Sequence, residues 1–227
     1  MKLLAVETST EACSAALFMY GDVSERFELA PKEHTKLILP MIDSLMTEAG
    51  LKPQQLDALA FSRGPGSFTG VRIATGVIQG IALGADLPVI PVSTLAALAQ
   101  DFFDHGDDDV AYVAMDARMG EIFWGVYRCD ERGYAELIGE EAVTPAGLVE
   151  FPELDGVGIG SGWGVYAEEL IVRLAGRVSY YEADRLPRAS AIACLAARDF
   201  ELGLAVSVEQ AMPVYLRDKV AKKESER

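Results

Sequence analysis

Residues 62–83, SRGPGSFTGVRIATGVIQGIAL, set a glycine-rich turn directly before a helix with almost no polar side. Gly64, Pro65, Gly66 and Gly70 follow the apolar run 56–61, so a short buried strand feeds a sharp turn and then a helix. Such a junction aims unpaired backbone amides forward, and helix N-termini of this kind favour phosphates and carboxylates. A plain strand-to-helix connection carries the same glycine signature, so both readings stand. The P-loop form is excluded: it requires lysine after its last glycine, and Gly70 is followed by Val71 and Arg72.

The helix itself says more. Val71, Ile73, Ala74, Val77, Ile78, Ile81 and Ala82 spread around most of its circumference, interrupted only by Arg72, Thr75 and Gln79. A helix apolar nearly all round must be covered nearly all round. Gly76, Gly80 and Gly84 fall four apart, leaving one edge without side chains where another backbone can approach. One domain covers one face of such a helix, and the remaining face suits a partner.

The chain has 227 residues, enough for one large domain or two small lobes with a real core. Its formal charge of −15 opposes direct attraction to nucleic acid or anionic membrane. The stretch 217–227 is locally basic and reads as a solubilising end. Cys13, Cys129 and Cys194 are odd in number and widely spaced, which points to a reducing compartment and against a cysteine zinc site. The apolar run 3–6 is too short for a signal peptide, and no stretch reads as an uninterrupted membrane span. A cytoplasmic protein without a membrane partner is expected.

In order, residues 2–6, 13–20 and 23–29 read as three consecutive strands, with a hairpin signal at Gly21-Asp22. Leu37, Ile38, Met41, Ile42, Leu45, Met46 and Ala49 recur at helical spacing across 33–50, with Pro40 placed to kink that helix. This stripe is broad: it is either a wide core face or a core face plus a second covered face. Residues 87–92 form a buried strand, and Ser93 caps an alanine-rich helix that follows. The acidic run 104–109 fails the EF-hand spacing and reads as a solvated turn between lobes.

Strands 110–115, 121–129 and 134–143 open the second half. Asp116 sits at the end of the first, where it is either a catalytic carboxylate or a turn former. Residues 156–164, GVGIGSGWG, are a second strand and glycine turn before a helix over 165–174, without the Rossmann spacing. An amphipathic helix over 188–202 and an irregular extended segment over 205–216 complete the chain, the latter closing back over the body. Two halves that each begin with strands, and each carry a glycine turn before a helix, have the pattern of an α/β actin-like two-lobed fold. The divisions are 1–104 for the first lobe, 105–188 for a smaller second lobe, and 189–227 for a helix and tail packing back on the body.

The strings VETSTEACSAAL, SRGPGSFTGVRIATG, PVSTLAALA, MDARMGEIFWGVY and MPVYLR closely resemble the bacterial TsaB family, also called YeaZ. The resemblance implies an actin-like (ASKHA, ribonuclease H-like) fold in which each lobe is a mixed sheet with helices. It further implies a role in making threonylcarbamoyladenosine at position 37 of tRNAs that read codons beginning with A. There TsaB is the partner of its paralogue TsaD, which carries the chemistry, alongside the ATPase TsaE. TsaD proteins bind their metal through H-x-x-x-H; the matching run 91–98 here puts Thr94 and Leu98 in those places, and neither replaces an imidazole. His34 and His105 lie in other segments. The phosphate loop expected at the start of the second lobe is replaced by 115–120, MDARMG.

The expectations are therefore a chain without catalytic residues, metal or cofactor of its own, with ATP and metal entering through TsaE and TsaD. Leu37, Ile38, Met41, Leu45, Val71, Ala74, Val77, Ile78 and Ile81 are expected to bind the partner, giving a heterodimer with TsaD and a homodimer when alone. Ser67, Phe68 and Arg72 are expected to touch a nucleotide at the subunit junction, and tRNA is reached only through the complex. The competing reading is an independent small-molecule kinase or ATP hydrolase using the 64–70 turn and Asp116, supported by fold analogy alone.

Overall fold

The structure, a computed structural model, describes residues 1–217. The basic tail, from residue 218 onward, lies outside the described residues. Two five-stranded mixed sheets share one topology. In the first, β1 (Lys2–Glu7), β2 (Ala12–Met19) and β3 (Asp22–Leu29) form an antiparallel meander, and β4 (Ala58–Gly64) and β5 (Val89–Ser93) add in parallel beside β1, giving the order β3-β2-β1-β4-β5. The second repeats it with β6 (Val110–Arg118), β7 (Glu121–Cys129), β8 (Ala135–Thr144), β9 (Gly156–Ile159) and β10 (Val178–Glu182). The same order and the same directions occur in both halves, which is the actin-like arrangement.

Among the described residues five α-helices layer these sheets. α1 (His34–Glu48) and α2 (Phe68–Ala85) cover the outer face of the first sheet, and α4 (Ser161–Leu174) covers the outer face of the second. Between the sheets lie α3 (Thr94–Phe103) and α5 (Ala189–Glu201). Each crosses over: α3 leaves the first sheet and also packs on β6, β7 and β8, while α5 follows the second sheet and packs on β1 and β2. Leu3, Ala60, Val92, Leu98, Val113, Ile159 and Ile192 share this central core. The alternation explains it, since odd residues of β1 face the middle layer while Leu4 and Val6 face α1 and α2.

Several details differ from the sequence reading. The β2–β3 hairpin turns at Tyr20-Gly21, both at positive φ, one residue earlier than expected. Pro40 sits inside an uninterrupted α1. β6 continues through Asp116 to Arg118, so Asp116 lies within a strand, and the turn is carried by Arg118, Met119 and Gly120, all at positive φ. α4 begins at Ser161 rather than 165, with a non-helical Tyr166 inside it. β10 has no counterpart in the sequence reading; both Tyr180 and Tyr181 are exposed, so it shows no apolar alternation. α2 also has the length and hydropathy of a membrane span, although a third of it is buried on the first sheet.

Candidate functional site: the outer face of α2 and the inter-lobe cleft

The start of α2 is fastened to the turn between β1 and β2. Thr8 Oγ1 donates to the Gly70 carbonyl at 2.7 Å, and the Ser67 amide donates to the Ser9 carbonyl at 2.7 Å. Ser67 caps the helix, its Oγ accepting from the Gly70 amide at 3.4 Å. The glycines permit this approach: a Cβ on Gly66 would lie 2.7 Å from the Ser9 carbonyl oxygen, and one on Gly70 would lie 2.0 Å from that of Thr8. Chain carbonyls therefore pack directly against both glycines, and the Ser67 amide is engaged.

The sequence-derived partner residues divide. Ile38, Met41, Leu45, Ala74 and Ile78 are buried in the core between the first sheet and α1 and α2, Val71 is buried beside Gly64, and all six present little or no surface. Within the single chain this half of the stripe serves the fold. Leu37, Val77 and Ile81 are half-buried at the edge of the same core. The exposed face of α2 comprises Phe68, Thr69, Arg72, Gly76, Gly80, Leu83 and Gly84, with Ile73, Val77 and Ile81 beside it. Leu83 is 76% exposed, and on α1 Leu39 is 54% exposed. A Cβ at Gly76, Gly80 or Gly84 would meet nothing within 4 Å, so this edge is open within the chain. Periodicity marks the glycine edge, and of the side chains it names Val77 and Ile81 border that edge, with exposed Leu83 at its end.

A cleft of about 1050 Å³ opens between the lobes, lined by the β1–β2 turn, the first turn of α2, the end of β6 and residues 214–217. Phe68 lines it on the α2 side, and the Arg72 guanidinium lies 3.2 Å over the Phe68 ring and 5.2 Å from the Tyr215 ring. Across from them, Asp116 accepts from the Arg118 amide at 2.8 Å and pairs with the Arg118 guanidinium at 3.0 Å, while its own amide donates to Ser161 Oγ. Asp116 is thus tied to its own hairpin.

Deeper in, Glu7 is fully buried at the end of β1, and one carboxylate oxygen accepts from the Ser9 amide while Oε2 has no partner. Burial pushes its pKa up, against the pull of the Ser9 amide that donates to it. Ser93, Tyr127 and Glu141 form a second polar knot, with both hydroxyls donating to Glu141 Oε1. Burial, then the Glu141 charge, holds the Tyr127 phenol well above its ordinary range. Thr94 and Leu98 are buried, and Leu98 packs 3.6 Å from the Cβ position of Gly160. His34 Nε2 donates to the Thr10 and Ala12 carbonyls, and His105 Nδ1 contacts the Asp101 carbonyl. Among the described residues no group of three or more His, Cys, Asp or Glu is placed to hold a metal ion.

The family model described as TsaD, tRNA N6-adenosine threonylcarbamoyltransferase, matches residues 27–224. The tRNA threonylcarbamoyladenosine biosynthesis protein TsaB of Escherichia coli K12 is 43% identical, over 97% of this chain and 96% of its own length. The protein of the same name from Haemophilus influenzae is 40% identical over 97% and 95%. Among solved structures, YeaZ from Pseudomonas aeruginosa superposes with a TM-score of 0.88 at 43% identity, covering 95% of this chain and 99% of that one. On relatives matched over nearly their whole length and on the shared fold, the chain belongs to the TsaB (YeaZ) family.

Proposed function

We propose that this chain is a non-catalytic partner of TsaD in forming the threonylcarbamoyl group on adenosine 37 of tRNAs that read codons beginning with A. The relatives' names point to that modification. The observation that carries the partner role is the open glycine edge of α2 at Gly76, Gly80 and Gly84, bordered by Val77, Ile81 and exposed Leu83. A helix of this kind lets a second backbone approach closely and buries apolar side chains on both flanks. The match of the chain to the TsaD model adds a second support, because two chains of one fold can pair through equivalent helices.

On this reading the same face pairs with a second copy when TsaD is absent, and heterodimer and homodimer compete for it. ATP and metal enter through TsaE and TsaD, tRNA contacts the complex rather than this acidic chain, and the assembly works in the cytoplasm. Phe68 and Arg72 remain the groups offered to a nucleotide at the junction. The ion pair that holds Asp116 favours this reading over an independent kinase or ATP hydrolase, which needs a free carboxylate in the cleft.

Reconstitution tests it. TsaD, TsaE and the enzyme that makes threonylcarbamoyl-AMP should modify tRNA only when this chain is added. Modification at an equal rate without it would overturn the proposal. Turnover of Mg-ATP by the purified chain alone would instead revive the kinase reading.

A further inference from the structure

The last described segment crosses from one lobe to the other. After α5, Val206 pairs with Val89 on the free edge of β5, through hydrogen bonds of 2.8 and 3.0 Å. Ala211 is buried under α2, and its carbonyl accepts from Gln79 Nε2 at 2.9 Å. The Val214 amide then donates to the Arg63 carbonyl at 2.8 Å, beside Gly64, where a Cβ would come within 2.9 Å of the Val214 oxygen. The Tyr215 ring lies 5.9 Å from that of Phe68. All these anchors belong to the first lobe.

The next anchor does not. Arg217 forms an ion pair with Glu121 and donates to the Arg118 carbonyl at 3.3 Å, both on the β6–β7 hairpin of the second lobe. Its guanidinium also reaches the Met119 sulfur at 3.8 Å. That hairpin tip holds two non-glycine residues, Arg118 and Met119, at φ +63 and +60, a conformation that needs support from its neighbours. Val214, Tyr215, Leu216 and Arg217 line the cleft along this path.

We propose that residues 212–217 form a strap that sets the opening of the inter-lobe cleft by tying the first turn of α2 to the β6–β7 hairpin. Tyr215 is the near fastening and Arg217 the far one. Any ligand or partner segment entering the cleft between Phe68 and Arg118 has to displace or include the strap. The inference does not depend on the partner role proposed above, because it concerns contacts within the chain alone.

Hydrogen exchange on the full chain tests it. Arg217→Ala should raise exchange at hairpin residues 118–121 and in the first turn of α2 by about two- to fivefold, the range expected of a partly exposed ion pair. Glu121→Ala should give the same rise, and the double variant no more than either single one. Tyr215→Ala, which loosens the near end, should raise hairpin exchange as well, although it removes no contact to the hairpin. β1 and β4 should keep their protection in every variant. Unchanged hairpin exchange in Arg217→Ala or in Tyr215→Ala, additive effects in the double variant, or a uniform rise across β1 and β4 would each overturn the strap.

Discussion

Thr8 and Gly70 are joined in both directions of approach: the Thr8 hydroxyl donates to the Gly70 carbonyl at 2.7 Å, and the Thr8 carbonyl oxygen lies where a Gly70 Cβ would be, at 2.0 Å. The first turn of α2 is therefore seated on the β1–β2 turn by backbone, with no room for a side chain. Gly70→Ala should destabilise the chain by about 1–3 kcal/mol or more, because backbone on both sides must shift. Urea unfolding measures it. A cost below about 0.5 kcal/mol would show that the seat is loose.

Gly76 and Gly80 should behave in the opposite sense. Their Cβ positions are open, so alanine adds helix propensity without a clash. Each change should stabilise the chain, measured as a monomer, by about 1 kcal/mol. If either destabilises it, something in the chain covers that edge.

Glu7 makes stability depend on pH. Its folded pKa lies above the unfolded value because burial disfavours the charged form. The folded chain therefore binds this proton more tightly, and the contribution is fully present below the unfolded pKa and lost as pH rises through the folded one. Glu7→Gln keeps the oxygen that accepts from the Ser9 amide and removes the titration. Relative to Glu7→Gln, the parent chain should lose stability between pH 4 and neutrality, with a slope of at most about 1.4 kcal/mol per pH unit. A flat difference across that range would mean that the carboxylate is not desolvated.

The three cysteines should resist alkylation. Burial, aided by the charges of Glu7 and Glu28, pushes the Cys13 thiol up to about 11, and burial with Asp104 does the same to Cys194. At pH 8 the reactive thiolate of either is on the order of one part in a thousand. Cys129 is also raised, by burial first and then by Asp109 and Asp130, but it is half-exposed on the β7 side. Iodoacetamide with mass spectrometry should find Cys129 modified first and Cys13 last. Early modification of Cys13 would mean that β2 opens readily.

Much of this architecture was readable before the structure. Apolar runs and alternation in 2–29 and 110–143 mark strands, Ser93 marks a helix start, and Gly76, Gly80 and Gly84 mark an edge without side chains. The wide stripes on α1 and α2 were readable as stripes, but hydrophobicity alone does not say which part faces the sheet. Ala74 and Val77 are equally apolar, yet one is fully buried and the other lies at the rim. The position of Asp116 was missed because Arg118 and Met119 carry no local signal for positive φ. The crossing of α3 and α5 between the sheets depends on long-range packing that no local period encodes.

The central claim, that the open glycine edge of α2 docks TsaD, is tested most directly by one dissociation constant. Gly80→Leu fills space that is empty within the chain, so the variant should fold as the parent does. Its affinity for TsaD, measured by calorimetry, should fall by about 30-fold or more, the loss expected when a close backbone contact at the centre of an interface is blocked. A constant within about twofold of the parent value would contradict the account.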